Sequence, residues 1–388
     1  MLQPCFLDAQ SIRSYYPVTM HPANRLDLDY LQEATTLGSP PSAVIDVHTH
    51  LNGPHAATVY RDAADAYGIS QVCSMTHLEQ VESIVEVLGD RVHFIAIPDF
   101  SHTDRLHAHG PGFLQRIRDF HAIGTRIVKF WAAPRAIDYG TEVGDPELLT
   151  LDGPTRRAAM DLAAELGMSF MTHVADPDTW FATRYSDSNT YGTKAQQYDA
   201  LERMLEEYPV PWLAAHMGGS PEDLERLDGL LDRHAHLRLD TSATKWMVRE
   251  LSKHEPTRLR QFLDRWRGRI CFGSDIVTSD DHLEHDGQTN EMTAKASNPA
   301  EAFDLYASRY WALRHLFEST YSGPSPIADP DLAMIDPDRH GLLDAPNLQG
   351  QALPEELLID LYTTAPQAWL DDVLGKGTPE AQDSLNLA

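Results

Sequence analysis

Short β-like runs that alternate with amphipathic helical stretches limit the fold of this chain more than any other feature of its sequence. Eight such runs lie at residues 44–50, 71–75, 92–97, 126–131, 169–174, 212–217, 237–241 and 269–275. Strands that alternate with helices are typical of βαβ units in a parallel sheet, and eight parallel strands close a barrel. The sequence therefore predicts an α/β fold, a (β/α)8 TIM barrel.

The stretches between these runs carry the spacing and the end signals of helices that pack on a sheet. Leu224, Leu227 and Leu231 recur on one face, after Ser220, which we expect to cap the helix. A second apolar face consists of Leu78, Val81, Ile84, Val85 and Leu88 and is ended by Gly89. A third consists of Leu259, Phe262, Leu263 and Trp266, and Gly268 follows it. The periodicity thus supports the barrel independently of any motif.

The chain has 388 residues, more than a minimal barrel needs. Residues 1–42 are predicted to form an N-terminal extension, which leaves residues 43–388 as one barrel domain. A polar loop follows the fifth strand at residues 175–197, and a long insertion follows the eighth at about residues 276–347, with a predicted helix at 299–319. Loops at the carboxyl ends of barrel strands build active sites, so these insertions are expected to set specificity. For residues 320–350, subunit contact or surface decoration is the alternative.

Charge and cysteine content narrow the class of protein. The net charge of −27 disfavours nucleic acid and anionic membranes as partners, because phosphate groups recruit Lys and Arg. Cys5, Cys73 and Cys271 are too few and too scattered for a disulfide framework. No run reaches the roughly 18 apolar residues of a membrane helix, and the N-terminus lacks a secretory signal. We therefore expect a cytoplasmic protein.

The first strand ends in a His-x-His pair, the strongest local signal in the sequence. His48 and His50 lie two residues apart, so both side chains point to the same face of the strand. At the carboxyl end of a barrel's first strand, two imidazoles at this spacing can share one metal ion. The pair is weak evidence alone, since His107 and His109 show the same spacing.

Three later strands also end in polar residues that can bind metal. His173, His216 and Asp275 close the fifth, sixth and eighth strands, and the strand ends of a barrel converge on one point. Burial of a carboxylate beside several imidazoles is costly without a partner, and a bound cation removes that cost. Together with the His-x-His pair, these residues indicate a metal site.

This set of residues resembles the amidohydrolase superfamily, and within it the amidohydrolase-2 branch that includes aminocarboxymuconate-semialdehyde decarboxylase. The resemblance covers about residues 43–280 and a closing helix near residues 353–370. It implies one divalent metal ion, most simply zinc, with manganese and iron as alternatives. It also implies the metal ligands His48, His50, His173 and Asp275 and the catalytic residues Asp275 and His216. Because members often dimerise, it favours a homodimer.

Lys129, at the end of the fourth strand, leaves the number of metal ions open. In two-metal members of the superfamily a carboxylated lysine at this place bridges the ions, and His216 would then bind the second ion. In the resembling branch the metal is usually single and the lysine tends to position substrate, which is the interpretation favoured here. A lysine that only extends its ammonium group to solvent is the third interpretation.

Several nearby residues are candidates for supporting roles. Trp131 and Arg135 could hold the hydrocarbon body and the carboxylate of a small-molecule substrate, because Arg pairs with carboxylates through two hydrogen bonds. A solvated surface residue is the alternative for Arg135. Asp46 is expected to orient a ligand histidine. The other histidines, His77 and His109 among them, are interpreted as bystanders.

Two reactions fit such a site. The leading hypothesis is hydrolysis of a small carbonyl compound (an amide, lactone or ester) by a metal-activated water. The alternative is non-oxidative decarboxylation of a small unsaturated or aromatic carboxylic acid, which a basic pocket with several aromatic side chains would favour. A non-catalytic metal-binding scaffold is disfavoured, because it predicts the loss of site residues and all five are present.

Overall fold

Parallel strands in chain order form the centre of the protein. The computed structural model describes residues 21–284 and 291–375. Its barrel strands are β1 (Val44–His50), β2 (Ile69–Ser74), β3 (Val92–Phe94), β4 (Ile127–Trp131), β5 (Ser169–His173), β6 (Trp212–Ala214), β7 (Leu237–Asp240) and β8 (Ile270–Cys271). β1 pairs with β2 and β2 with β3, and β4 to β8 pair in sequence, all in parallel.

Backbone hydrogen bonds join these two groups of strands into one ring. Between β3 and β4, the Ala96 N–H donates to Ile127 O at 2.8 Å. Between the residues after β8 and β1, the Val47 N–H donates to Phe272 O at 2.9 Å and the next strand, β9 (Ile276–Val277), pairs with β1. Because every strand from β1 to β8 is bonded to its neighbours, the predicted (β/α)8 barrel is confirmed.

Helices alternate with the strands along the chain. They are α1 (Tyr30–Leu37), α2 (Pro54–Ala66), α3 (Val81–Leu88), α4 (Arg105–His109), α5 (Pro111–Ala122), α6 (Ala136–Thr141), α7 (Pro154–Glu165), α8 (Asp178–Phe181), α9 (Ser188–Tyr191), α10 (Lys194–Glu207), α11 (Leu224–Arg233), α12 (Thr244–Leu251), α13 (Pro256–Arg265), α14 (Pro299–Glu318), α15 (Asp331–Ile335), α16 (Glu355–Ile359) and α17 (Ala365–Val373), with a π-helical turn, Asp360–Thr364, before α17. No helix in the described ranges is long and apolar enough to cross a membrane.

The predicted cap of α11 is wrong, although its apolar face is confirmed. The helix begins at Leu224, and the Asp223 carboxylate accepts a hydrogen bond from the Arg226 backbone N–H at 3.0 Å. Ser220 is buried in the turn after β6, where its own N–H donates to Met217 O, so it is too far back to cap the helix.

For α3, the predicted end at Gly89 is confirmed, but one residue of the predicted apolar face, Val85, is not buried. Gly89 ends the helix with a φ of +62°, a conformation that glycine adopts without strain. Ile84 and Leu88 are buried, but Val85 is 42% exposed. One residue along a helix is a rotation of about 100°, so Val85 points away from the stripe that covers the sheet.

The barrel interior is apolar at the amino-terminal end of its strands. Ile45, Met171 and Leu213 pack there with Trp369 and Leu370 of α17, which closes this end of the barrel as predicted for residues 353–370. Polar side chains of the interior are therefore confined to the opposite, carboxyl end of the strands.

Two helices from the segments outside the minimal barrel pack against each other. In the described part of the predicted extension, the Glu33 carboxylate of α1 accepts from Trp311 Nε1 at 2.9 Å, which ties α1 to α14. The insertion after β8 contains α14, close to the predicted 299–319, and the antiparallel strands β10 (Ser322–Pro324) and β11 (Asn347–Gln349). Residues 1–20 of the extension lie outside the described residues, and the domain boundaries stay predictions.

Candidate metal centre and active-site cavity

Three of the predicted metal ligands meet at the carboxyl end of the barrel. His48 and His50 come from β1, and Asp275 comes from the turn after β8. Asp275 Oδ1 lies 3.4 Å from His48 Nε2 and 3.2 Å from His50 Nε2, and the three ligand atoms lie within 4.8 Å of one another. Two imidazole nitrogens and a carboxylate oxygen form a donor set that suits a divalent transition metal ion, so the residues fit the implied metal.

The electrostatics of Asp275 agree with a cation site. Burial would raise the pKa of this carboxyl, but a hydrogen bond from His50 and the nearby imidazoles hold the pKa well below its usual range. Its backbone is also strained, with a φ of +61°, as is that of His216 with a φ of +60°. Strained backbone at non-glycine residues concentrates at functional sites.

A buried carboxylate that the sequence prediction missed, Asp240 at the end of β7, orients His48. His48 Nδ1 donates to Asp240 Oδ2 at 2.9 Å, and both side chains are buried. This bond directs the lone pair of His48 Nε2 towards Asp275, as a carboxylate behind a ligand histidine does in metal sites.

The prediction that Asp46 orients a ligand histidine is wrong. Asp46 accepts from the His48 backbone N–H at 3.1 Å and from Ser274 Oγ at 2.6 Å, and the ring of His48 turns to Asp240 instead. Asp46 also accepts from the Tyr310 hydroxyl of α14 at 2.9 Å, so it faces the surrounding helices. A register shift in β1 between Asp46 and Thr49 breaks the period-two alternation, so His48 faces the site although it lies two residues further on. Burial raises the pKa of Asp46 to about 7.

Asp240 also fixes His216, through Ser242. The His216 backbone N–H donates to Asp240 Oδ1 at 2.8 Å, and His216 Nδ1 lies 2.7 Å from Ser242 Oγ. Because the Ser242 hydroxyl donates to Asp240, Ser242 Oγ accepts the Nδ1 proton of His216 and leaves His216 Nε2 as an acceptor. Burial holds the pKa of His216 well below its usual value, so the ring is neutral.

His173 lies beside this group but makes a different contact. Its ring centre is 4.6 Å from that of His216, and His173 Nε2 lies 2.7 Å from Asp176 Oδ1. Asp176, which the sequence prediction missed, is buried and also accepts from the hydroxyl of Tyr185. A metal-ligand role for His173 therefore stays a prediction.

Lys129 extends from β4 into the same space. It is 6% exposed, and its Nζ has no hydrogen-bond partner in the described parts of the chain. Burial lowers the pKa of this ammonium to about 8, although the carboxylates of Asp240 and Asp275 oppose the shift. The lysine is thus held close to the site with its nitrogen available to a substrate or a modification.

The candidate metal ligands, His216 and Lys129 line one end of a cavity of about 900 Å³. The aromatic side chains in its wall are Phe100, Trp131, Trp180 and Trp246, and the cationic ones are Lys129, Arg135, Lys245, Lys295 and Arg309, against the acidic Asp176, Asp275 and Glu291. The cavity is thus basic and aromatic inside a chain whose net charge is −27.

Both predicted substrate contacts beyond Lys129 line this cavity. The guanidinium carbon of Arg135 lies 5.5 Å from the centre of the Trp131 ring, a cation–π distance. Arg135 donates no hydrogen bond to the described residues, so its donors remain for a ligand. His77, interpreted above as a bystander, also lies in the wall.

The chain resembles several solved structures at low sequence identity. An uncharacterised TIM-barrel protein from Bordetella bronchiseptica is 12% identical, with a TM-score of 0.43 over 85% of this chain and 99% of its own. 2,6-Dihydroxybenzoate decarboxylase from Rhizobium is 13% identical, with a TM-score of 0.38 over 70% of this chain and 99% of its own. A zinc-bound amidohydrolase from Burkholderia multivorans is 12% identical, with a TM-score of 0.39 over 70% of this chain and 92% of its own.

Two of these structures are enzymes of the kinds that the sequence resemblance names, an amidohydrolase and a decarboxylase. No protein-family model and no curated protein matches the chain. At this distance the likenesses decide nothing about the chemistry, which rests on the residues of the site.

Proposed function

We propose that this protein is a metal-dependent hydrolase of a small carbonyl compound (an amide, lactone or ester) that carries a carboxylate. The observation that carries the proposal is the convergence of His48, His50 and Asp275 at the floor of a basic, aromatic cavity. His48 is buried, and His50 and Asp275 are only about one-third exposed, so electrostatic interactions with a substrate are stronger here than at a solvated surface cluster.

The residues divide the work of hydrolysis between them. His48, His50 and Asp275, with His173 as the expected fourth ligand, would hold a divalent ion, which would supply a Lewis acid for a carbonyl oxygen and for water. Asp275 Oδ1 faces the two imidazoles, so Oδ2 remains to accept a proton from water and to return it to the leaving group. Neutral His216, with its Nε2 as an acceptor, orients the water.

The cationic side chains of the wall position the substrate. Lys129 lies beside the reacting groups, and Arg135 lies against Trp131, so a carboxylate can bind the guanidinium while the hydrocarbon body packs on the indole. We assign Lys129 to this positioning role and one metal ion to the site.

Decarboxylation is the second candidate, because a specific observation favours it. Four aromatic and five cationic side chains in the wall of one cavity suit an unsaturated or aromatic carboxylic acid. The same residues would serve, with Asp275 passing a proton from water to carbon, because neutral His216 has no proton on Nε2 to give.

A substrate panel on metal-free and zinc-loaded protein tests the proposal and separates the two reactions. We expect zinc-dependent release of acid from carboxylate-bearing esters, lactones or amides, and its loss in His50→Ala, with carbon dioxide release from hydroxybenzoates as the signature of the alternative. Equal activity with and without metal would refute both reactions. A cytoplasmic location and a homodimer stay predictions.

A further inference from the structure

One buried carboxylate of the insertion bonds to two indoles that line the cavity. Asp331 is 3% exposed, and its Oδ2 accepts from Trp180 Nε1 at 2.9 Å and from Trp246 Nε1 at 2.8 Å. Trp180 belongs to α8, after β5, and Trp246 to α12, after β7. A single oxygen atom thus links two loops of the barrel to the insertion that follows β8.

Cations around Asp331 keep this oxygen charged. Lys245 Nζ donates to Asp331 Oδ1 at 2.8 Å, and Arg249 donates to Oδ2 at 3.1 Å. Burial would raise the pKa of Asp331, but Lys245 and Arg249 hold it below its usual value. Charged acceptors make stronger hydrogen bonds than neutral ones, so the indoles are firmly held.

The two indoles stand next to the candidate catalytic residues. The ring of Trp246 is 5.6 Å from that of His216 and 6.1 Å from that of His173, and 6.2 Å separates the centres of Trp180 and Trp246. Both indoles line the cavity, whereas Asp331 lies behind them and outside its wall. Any effect of Asp331 on a ligand must therefore pass through these indoles or through Lys245, which also lines the cavity and donates to Asp331.

We propose that Asp331 is a positioning residue that fixes the rings of Trp180 and Trp246 as one wall of the substrate cavity. The inference rests on the proposed function in so far as this wall receives the hydrocarbon body of a substrate. It gives the insertion a role in specificity, because a carboxylate from outside the barrel determines the shape of the cavity. A purely structural role would instead make Asp331 a buried ion-pair partner whose loss lowers stability alone.

Asp331→Asn is the variant that separates the two roles. The amide keeps the size of the side chain but replaces a charged acceptor. Both cations keep Asp329 as another partner, because Arg249 donates to Asp329 at 2.6 Å and Lys245 Nζ lies 4.0 Å from the Asp329 carboxylate. Glu33→Gln is the matched control, because Glu33 accepts from the indole of Trp311 at 2.9 Å, between α1 and α14. Trp246→Phe removes the donor and leaves Asp331 in place.

Two readouts follow the indoles and the cavity in the full-length protein. Hydrogen exchange of ¹⁵N-labelled indole N–H groups reports on the bonds directly, and titration with benzoate as the probe reports on the wall. In Asp331→Asn we expect the Trp180 and Trp246 indole protons to exchange about tenfold faster and benzoate to bind about tenfold more weakly, as for the loss of a strong hydrogen bond. In Glu33→Gln only the Trp311 signal should change.

Unchanged exchange at Trp180 and Trp246, or unchanged benzoate affinity with altered exchange, would overturn the proposal. If Asp331→Asn does not fold, Trp246→Phe decides the matter: weaker benzoate binding is expected, and wild-type affinity would refute a positioned wall. Failure of benzoate to bind the wild type would count against the proposed function, and indole exchange alone would then judge the role of Asp331.

Discussion

Asp240 holds two imidazoles of the candidate site at once, one directly and one through Ser242. We predict that Asp240→Asn lowers the affinity for zinc by about 10- to 100-fold, because an amide in this place no longer fixes the His48 ring as a ligand. Competition with a chromophoric chelator measures the affinity.

Asp62→Asn is the control for this prediction, since Asp62 is 61% exposed and, among the described residues, pairs only with its neighbour Arg61. Equal zinc affinity in Asp240→Asn and the wild type would show that the contact does not orient the ligand.

His109, a buried residue outside the site, should determine part of the pH dependence of the protein's stability. Burial, followed by the charges of Arg156 and Arg105, lowers the pKa of His109 to about 3. In the unfolded chain the His109 imidazole is protonated below about pH 6.5, whereas in the folded protein it is protonated only below about pH 3. Stability from this group is therefore complete above pH 6.5 and is lost as the pH falls from 6.5 towards 3.

The variant His109→Phe tests this linkage. Between pH 7.5 and pH 5, the wild type should lose about 2 kcal/mol more of its free energy of unfolding than the variant does, measured by urea denaturation at each pH. His102→Phe, at an exposed histidine, should follow the wild type. Parallel pH profiles for the wild type and His109→Phe would contradict the assignment.

Sequence reasoning identified residues at strand ends well and their contacts poorly. His48, His50 and Asp275 could be found because a barrel brings the carboxyl ends of its strands together. Asp240 is also a polar residue at the carboxyl end of a strand, so the same rule could have identified it. The prediction for Asp46 is wrong because period-two alternation does not foresee the register shift in β1, after which Asp46 and His48 face different sides of the strand.

At the scale of elements, the turn between β6 and α11 depends on a glycine. Gly219 has a φ of +75°, and a Cβ there would lie 1.9 Å from Ala175 O. We predict that Gly219→Ala lowers the free energy of unfolding by at least about 3 kcal/mol, because both the backbone conformation and the space exclude a side chain. Chemical denaturation measures the change.

The matched change in the next helix should act in the opposite direction. Gly229 lies inside α11, where a Cβ meets only the flexible end of Arg233 at 3.2 Å. Gly229→Ala should raise the free energy of unfolding by about 0.5–1 kcal/mol, as alanine does in helix interiors. Similar effects of the two substitutions would refute the account of this turn.

Element order was predictable from the sequence, but element ends were less so. The regular part of β8 stops at Cys271, well before Asp275, which the prediction had placed inside the strand. The backbone of His216 and Asp275 has positive φ, and apolar periodicity carries no signal for such turns. The same strain brings both side chains into the site.

At the scale of the whole molecule, the barrel can be predicted from local sequence patterns, whereas the shape of the cavity cannot. Short apolar strands alternate with helices whose apolar residues recur on one face, and this alternation of eight units predicts a closed parallel ring. The contact of Asp331 with Trp180 and Trp246 joins segments far apart in the sequence, and no periodicity connects them. The specificity-determining side of the cavity therefore became visible only in the folded chain.

We propose that one divalent metal ion binds at the carboxyl end of the barrel, and metal analysis of protein purified without chelator counts the bound ions. We predict about one equivalent in the wild type, the same in Lys129→Ala, and a marked loss in Asp275→Asn. Two equivalents that fall in Lys129→Ala would contradict the single-metal site and make Lys129 a bridging ligand. A wild-type protein without tightly bound metal would contradict the metal centre itself.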